Sequence, residues 1–207
     1  MVAVEIPELR RVYIKFPWPH LYEYADSTVS IAQAREIMGD TGLLPIRIRS
    51  PDAFPLGVLN QLIREAADSP IEEIRFYRTV LRIARLPLLF RRLVWGFSLN
   101  YPKARRYAFG TYAVSSVARW QTELGTTRSP LPCLLSYGPA DADGNVDLRL
   151  NIDHRIFDGA LAARVLCRLE EVLNSSILDE LREPAESKPC GETAEQTHDA
   201  RQAQDPS

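Results

Sequence analysis

Leu148 to Asn174 reads L-R-L-N-I-D-H-R-I-F-D-G-A-L-A-A-R-V-L-C-R-L-E-E-V-L-N, and two periodicities meet inside it. Leu148, Leu150 and Ile152 alternate with Arg149, Asn151 and Asp153, the pattern of a strand with one buried face. After Gly159 the spacing changes to threes and fours, through Leu161, Ala162, Val165, Leu166, Leu169, Val172 and Leu173, which makes one apolar side of an amphipathic helix. His154 and Asp158 therefore fall on a strand-to-helix crossing. A rigid strand can root an imidazole there while the turn sets its direction. The same residues also have an ordinary structural reading. An Asp before Gly at a helix start is an N-cap, and a lone His is commonly a hydrogen-bonded packing residue.

I-D-H-R-I-F-D-G-A-L-A-A-R-V-L closely resembles the active-site segment of the acyltransferase catalytic domain of 2-oxo acid dehydrogenase complexes, a fold shared with chloramphenicol acetyltransferase. The family pattern of His, Arg, two variable residues, Asp, Gly and a small-residue helix start is complete here. The resemblance implies that His154 is the general base and that Asp158 is the carboxylate that maintains active-site structure.

The 207 residues are 45% hydrophobic and 25% charged with a net charge of −2, ordinary for one globular domain. The opening M-V-A-V-E-I-P-E-L-R-R has neither the basic nor the apolar region of a signal peptide, and no apolar run nears the ~18 residues of a membrane span. A cytoplasmic location is the resulting expectation. Cys133, Cys167 and Cys190 are too few and too scattered for a disulfide framework or a zinc site, so no metal is expected.

Toward the N-terminus, Pro17 and Pro19 among aromatic and β-branched residues predict extended structure, with His20 as a surface or packing residue. Ser27 to Ala34 and Leu43 to Arg49 resemble the family's paired strands around a glycine turn, the second ending in arginine. Phe54 to Ala67, with Leu56, Leu59, Ile63 and Ala67 at helical spacing, resembles the helix that follows them.

From Arg75 to Thr122 the chain departs from the family. This run has ten basic residues (Arg75, Arg78, Arg82, Arg85, Arg91, Arg92, Lys103, Arg105, Arg106 and Arg119) and no acidic one. The spacing predicts two amphipathic helices, with Pro87 ending the first and Leu88 to Phe97 in the second. Three roles stay open for this basic segment: a solvated face whose Leu, Phe and Trp side packs on the domain, a surface for an anionic membrane or acidic partner, or attraction for the phosphates of a nucleotide cofactor. Nucleic acid is not expected, because the whole chain is slightly acidic and carries no motif for it.

F-G-T-Y-A-V-S-S-V alternates as a strand and resembles the family's G-T-F-T-I-S-N-L segment, whose serine lies near the substrate carbonyl. By that likeness Ser115 is the equivalent residue, with Ser116 the competing choice one register away. Without the likeness, either is a polar strand end. Leu134 to Tyr137 predicts a further strand, and Asp143-Gly144 within D-A-D-G-N predicts the tight turn of a hairpin returning to the strand before His154. Beyond Leu181 almost no apolar residue remains, so residues 183–207 are expected to form a disordered tail.

The fold expected is therefore α/β, a chloramphenicol acetyltransferase-like mixed β-sheet with packed helices over residues 1–182. The resemblance spans about residues 6 to 181 and is strongest from Phe109 onward. It implies that the chain lacks the family domain's first helices, its N-terminal extended segment and any lipoyl-bearing domain. The activity implied is acyl transfer between coenzyme A, as substrate, and a thiol such as a dihydrolipoyl group on a separate carrier, with no acyl-enzyme. The family's active site lies between subunits of a trimer, so a homotrimer is expected, with His154 from one subunit and Ser115 from its neighbour. The second function class is a catalytically silent scaffold that keeps the fold and acts through its basic helices.

Overall fold

A computed structural model describes residues 1–37, 39–71, 74–116, 118 and 129–182. The expected tail and the stretch W-Q-T-E-L-G-T-T-R, residues 120–128, lie outside the described residues. After a short helix α1 (Val2–Glu5) and a 3₁₀ turn (Pro7–Arg10), strands β1 (Arg11–Ile14) and β2 (His20–Glu23) pair as an antiparallel ribbon. The 3₁₀ turn departs from the extended structure expected there; Pro7 opens it at a helix-compatible first position.

The main sheet contains β3 (Thr28–Ile37), β4 (Asp40–Arg49), β5 (Tyr112–Ser116), β6 (Cys133–Ala140) and β7 (Val146–Ile152) in the order β4-β3-β5-β6-β7. Its outer pairs β3–β4 and β6–β7 are antiparallel, while β5 runs parallel to both β3 and β6. The sheet is mixed, as expected. Gly144 adopts φ +86° in the turn between β6 and β7, where the Asp141 carboxylate accepts from the backbone N–H groups of Asp143 and Asn145.

Alternation gives the sheet one apolar and one polar side. Val29, Ile46 and Ile48 pack on Val58 and Leu62 of α2 (Leu56–Asp68). Farther along the same side, Cys133, Leu150 and Ile152 meet Val165 of α6 (Gly159–Val172) together with Ala3, Ile6 and Leu9. An apolar cavity of about 340 Å³ lies among these elements, lined in part by Val2, Leu9, Tyr112, Leu150 and Val165.

Both ends of α2 are closed by distant residues. Glu180, on the last helix α7 (Leu178–Arg182), accepts from the Leu56 N–H at 2.8 Å, while Arg35 donates to the carbonyls of Ala66, Ala67 and Ser69. An anion at the N-terminus and a cation at the C-terminus both suit the helix dipole.

The basic segment forms three helices, one more than predicted: α3 (Arg75–Ala84), α4 (Leu88–Asn100) and α5 (Pro102–Phe109). Arg47 from β4 stacks on Phe76 of α3 and Tyr107 of α5, at 3.5 and 4.8 Å from the ring centroids. None of the residues of α4 is fully buried: Trp95 packs on Phe109 while Val94 and Leu99 are half-buried, but Leu89, Phe90, Leu93 and Phe97 face solvent, so the domain-packed reading holds for only part of the helix.

α5 ends at Gly110, whose φ of +83° favours glycine, and a Cβ there would lie 2.7 Å from the Thr28 carbonyl oxygen. The next residue clips β5 to β3. The Thr111 N–H and hydroxyl both donate to the Thr28 carbonyl, and the Thr28 N–H donates back to the hydroxyl.

Candidate functional site

The turn that carries His154 is built by its neighbours. The Asp153 N–H donates to the Pro132 carbonyl at 2.8 Å, extending the β6–β7 ladder by one bond, and the Asp153 carbonyl accepts from Ile156 and Phe157. The Asp153 carboxylate accepts from the Arg155 N–H at 3.0 Å and from its guanidinium at 2.6 to 3.1 Å. Phe157, only 1% exposed, plugs into the core with Cys133 and Val165. Asp158 then caps α6, its carboxylate accepting from the Leu161 N–H at 2.7 Å.

His154 is thus exposed on a turn fixed at both sides, just past the C-terminal end of β7. Among the described residues its imidazole has no hydrogen-bond partner. Such a ring could take a proton from a bound thiol, and among the described residues nothing selects its tautomer.

The surrounding field comes mainly from residues that the sequence reading passed over. The Arg155 hydrogen bonds hold the Asp153 carboxyl below the usual carboxylate range, against the opposing effect of burial. The Arg155 guanidinium also lies 4.2 Å from the centroid of the Tyr13 ring. Beneath the turn, buried Arg105 donates to the Tyr13 carbonyl at 3.3 Å, the Leu99 carbonyl at 2.9 Å and the Pro130 carbonyl. Burial lowers its pKa, while nearby Asp153 favours its charge. Its position in a run of ten cations gave no sign of this role.

Ser115 lies on β5 opposite Ser136 of β6, which lies opposite Arg149 of β7. These three share the side of the sheet away from α2 and α6. Ser115 is half-buried, and its hydroxyl has no hydrogen-bond partner among the described residues. Ser116 instead points to the other side, donating to the Tyr137 carbonyl at 3.0 Å and accepting from the Ala118 N–H at 3.1 Å. His154 lies on the turn beyond the end of β7 at Ile152, three residues past the level of Ser115, and no hydrogen bond joins the two. Neither opens into the 340 Å³ cavity.

His20 bonds locally to the Trp18 carbonyl through Nδ1, at 2.8 Å. Burial pushes the Cys133 thiol up to about 12, while Cys167 is exposed; Cys190 lies outside the described residues. Among the described residues no cluster of His, Cys, Asp or Glu could hold a metal ion.

No family model and no curated protein matches the chain. Solved structures do. A probable dihydrolipoamide acetyltransferase from Listeria monocytogenes is 20% identical, with a TM-score of 0.51, over 91% of this chain and 68% of its own. Dihydrolipoamide acetyltransferase of Azotobacter vinelandii is 22% identical, with a TM-score of 0.54, over 87% and 66%. A truncated catalytic core of the 2-oxoacid dehydrogenase multienzyme complex from Thermoplasma acidophilum is 18% identical, with a TM-score of 0.55, over 84% and 69%. The chain thus spans about two thirds of each neighbour. At this identity the likeness is one of architecture, and it establishes that the chain has the fold of the acyltransferase catalytic cores of 2-oxo acid dehydrogenase complexes.

Proposed function

We propose that this chain is a coenzyme A-dependent acyltransferase in which His154 is the general base. The observation that carries the proposal is the placement of His154: an exposed imidazole on a turn locked by the Asp153–Arg155 pair and the Asp158 cap, within a fold shared with acyltransferase cores. The Azotobacter protein is described as using a serine, a histidine and, four positions after it, an asparagine in its catalytic mechanism. His154 and Asp158 have the same spacing, and Asn and Asp serve equally as N-caps.

A thiol with an ordinary pKa of ~8.5 is mostly protonated at neutral pH, whereas its thiolate is the effective nucleophile toward a thioester. His154 removes that proton and later returns one to the departing thiolate. The tetrahedral oxyanion formed between these steps is stabilised by a fixed hydroxyl, assigned to Ser115, worth ~3 kcal/mol at the transition state. The proposed site is shared between subunits of a homotrimer, His154 coming from one and Ser115 from its neighbour. The acyl group passes directly between coenzyme A and a dihydrolipoyl-type thiol on a separate carrier, with no acyl-enzyme and no metal.

The test is thioester exchange between acetyl-coenzyme A and dihydrolipoamide. Wild type should exchange above buffer, and His154→Ala should lose on the order of 10²-fold or more with an unchanged melting temperature. Exchange absent in wild type, or retained in His154→Ala, replaces this reading with the silent scaffold. The lack of a hydrogen-bond partner for the imidazole among the described residues favours that second reading.

A further inference from the structure

We propose that α4 is an anchor that lays this protein on an anionic lipid surface. Leu86, just before the helix, and Leu89, Phe90, Leu93 and Phe97 recur at three- and four-residue spacing and so form one stripe. That stripe faces solvent: Leu89 is 68% exposed, Phe90 57%, Leu93 62% and Phe97 62%. The half-buried side includes Arg91, Val94 and Ser98. Leu99 is also half-buried and Trp95 packs on Phe109, so α4 is apolar on both sides and the stripe is the side left uncovered. An exposed patch of this kind on a soluble domain marks a contact with a protein or a membrane.

Charge decides between those occupants. Arg82 and Arg85 precede the stripe in sequence, Arg92 falls within α4, all three are exposed, and no acidic residue occurs between Arg75 and Thr122. Pairing α4 with α4 of a second copy would bring cations against cations. An anionic headgroup layer accepts those cations while its acyl boundary accepts the Leu and Phe side chains.

Length fixes the mode of contact. Thirteen residues make a helix of about 20 Å, too short for a hydrocarbon layer of about 30 Å, and no described helix is long and apolar enough to cross a membrane. The helix would lie in the plane of the interface.

A second exposed apolar element is tied to the same place. Phe16 and Trp18, 70% and 67% exposed, occupy the loop between β1 and β2. Buried Arg105 donates to carbonyls of both Tyr13 in β1 and Leu99 in α4, so one guanidinium fixes the ribbon to the helix. Aromatic residues beside an apolar helix are suited to the headgroup boundary.

The test is co-sedimentation of the full chain with phosphatidylglycerol–phosphatidylcholine vesicles and with phosphatidylcholine alone, beside sedimentation velocity without lipid. Binding should require the anionic lipid and weaken as salt is raised. Phe90→Asp combined with Leu93→Asp should lower partitioning on the order of 10²-fold or more, and replacing Arg82, Arg85 and Arg92 with Gln should lower it about 5-fold per residue. Both sets alter exposed side chains, so far-UV circular dichroism and thermal melts should match wild type. Equal binding to neutral vesicles, or retained binding by the Asp variant, overturns the proposal. So does an Asp variant that dissociates an oligomer while wild type ignores vesicles, which would make the stripe a contact between copies. Acyl-transfer activity enters none of these readouts, so this proposal and the catalytic one fail separately.

Discussion

Ser115 lies within the sheet on β5, whereas His154 lies on the turn beyond the end of β7. Ser115 is level with Arg149, two strands away and three residues short of the end of β7 at Ile152, an offset of roughly 10 Å along the strand direction before the turn that carries His154. The shared site proposed above would bring His154 of one chain to Ser115 of another.

That geometry predicts complementation. Ser115→Ala and His154→Ala should each be nearly inactive, yet co-refolding an equal mixture should restore about a quarter of wild-type activity in randomly assembled trimers. Steady-state exchange assays on the mixed sample check this. Activity no greater than that of the two separate variants would rule out a shared site.

Asp158 should reveal its two roles separately. Asp158→Ala removes the bond to the Leu161 N–H and should cost about 1 kcal/mol of stability, whereas Asp158→Asn keeps a capping oxygen and should melt close to wild type. Chemical denaturation of both variants measures the difference. Equal losses would show that charge, and not capping, is what α6 requires.

Acid should erase the contribution of Asp26. Burial pushes its carboxyl up, but ion pairs with Arg49 and Arg106 more than compensate and leave it below the usual carboxylate range. The unfolded chain therefore takes up this proton more readily. The stabilisation is fully present above the ordinary value of ~3.9 and is lost as pH falls through the lower folded value. Asp26→Asn should be less stable than wild type by about 2 kcal/mol at neutral pH, with the gap closing as pH falls below the ordinary carboxylate value of ~3.9. Urea titrations across that range would show it, and a gap that widens in acid contradicts the assignment.

Gly110→Ala should be among the costly single-methyl additions. The positive φ and the 2.7 Å approach to the Thr28 carbonyl both oppose a Cβ, giving an expected loss of about 3 kcal/mol. A variant that melts within a degree or two of wild type would show that the α5–β5 corner relaxes freely.

The crossing at His154, the Asp143-Gly144 hairpin and the strands on either side were legible because alternation and helical spacing each record which side of an element is covered. α5 was not legible. Pro102 reads as a breaker but occupies the first turn, and the remaining P-K-A-R-R-Y-A-F has no apolar stripe. The orientation of α4 was hidden for a different reason: periodicity locates a stripe without identifying what covers it. Arg105 was equally hidden, because its acceptors are carbonyls 92, 6 and 25 residues away, and carbonyls have no residue code. His154 and Asp158 could be placed on their turn, but Asp153 and Arg155, which organise it, appeared as ordinary flanking charges.

The carboxylate that closes the first turn of α2 comes from Glu180, 124 residues downstream, and the core beside α6 joins Ala3, Ile6 and Leu9 to Phe157 and Val165. During synthesis the ribosome delivers the early partners long before the late ones. The α2 end and the apolar side of the sheet must therefore wait, partly uncovered, until almost the whole domain has emerged. Closing loops of this length makes folding a late and slow event, and chaperones have their opportunity in that interval.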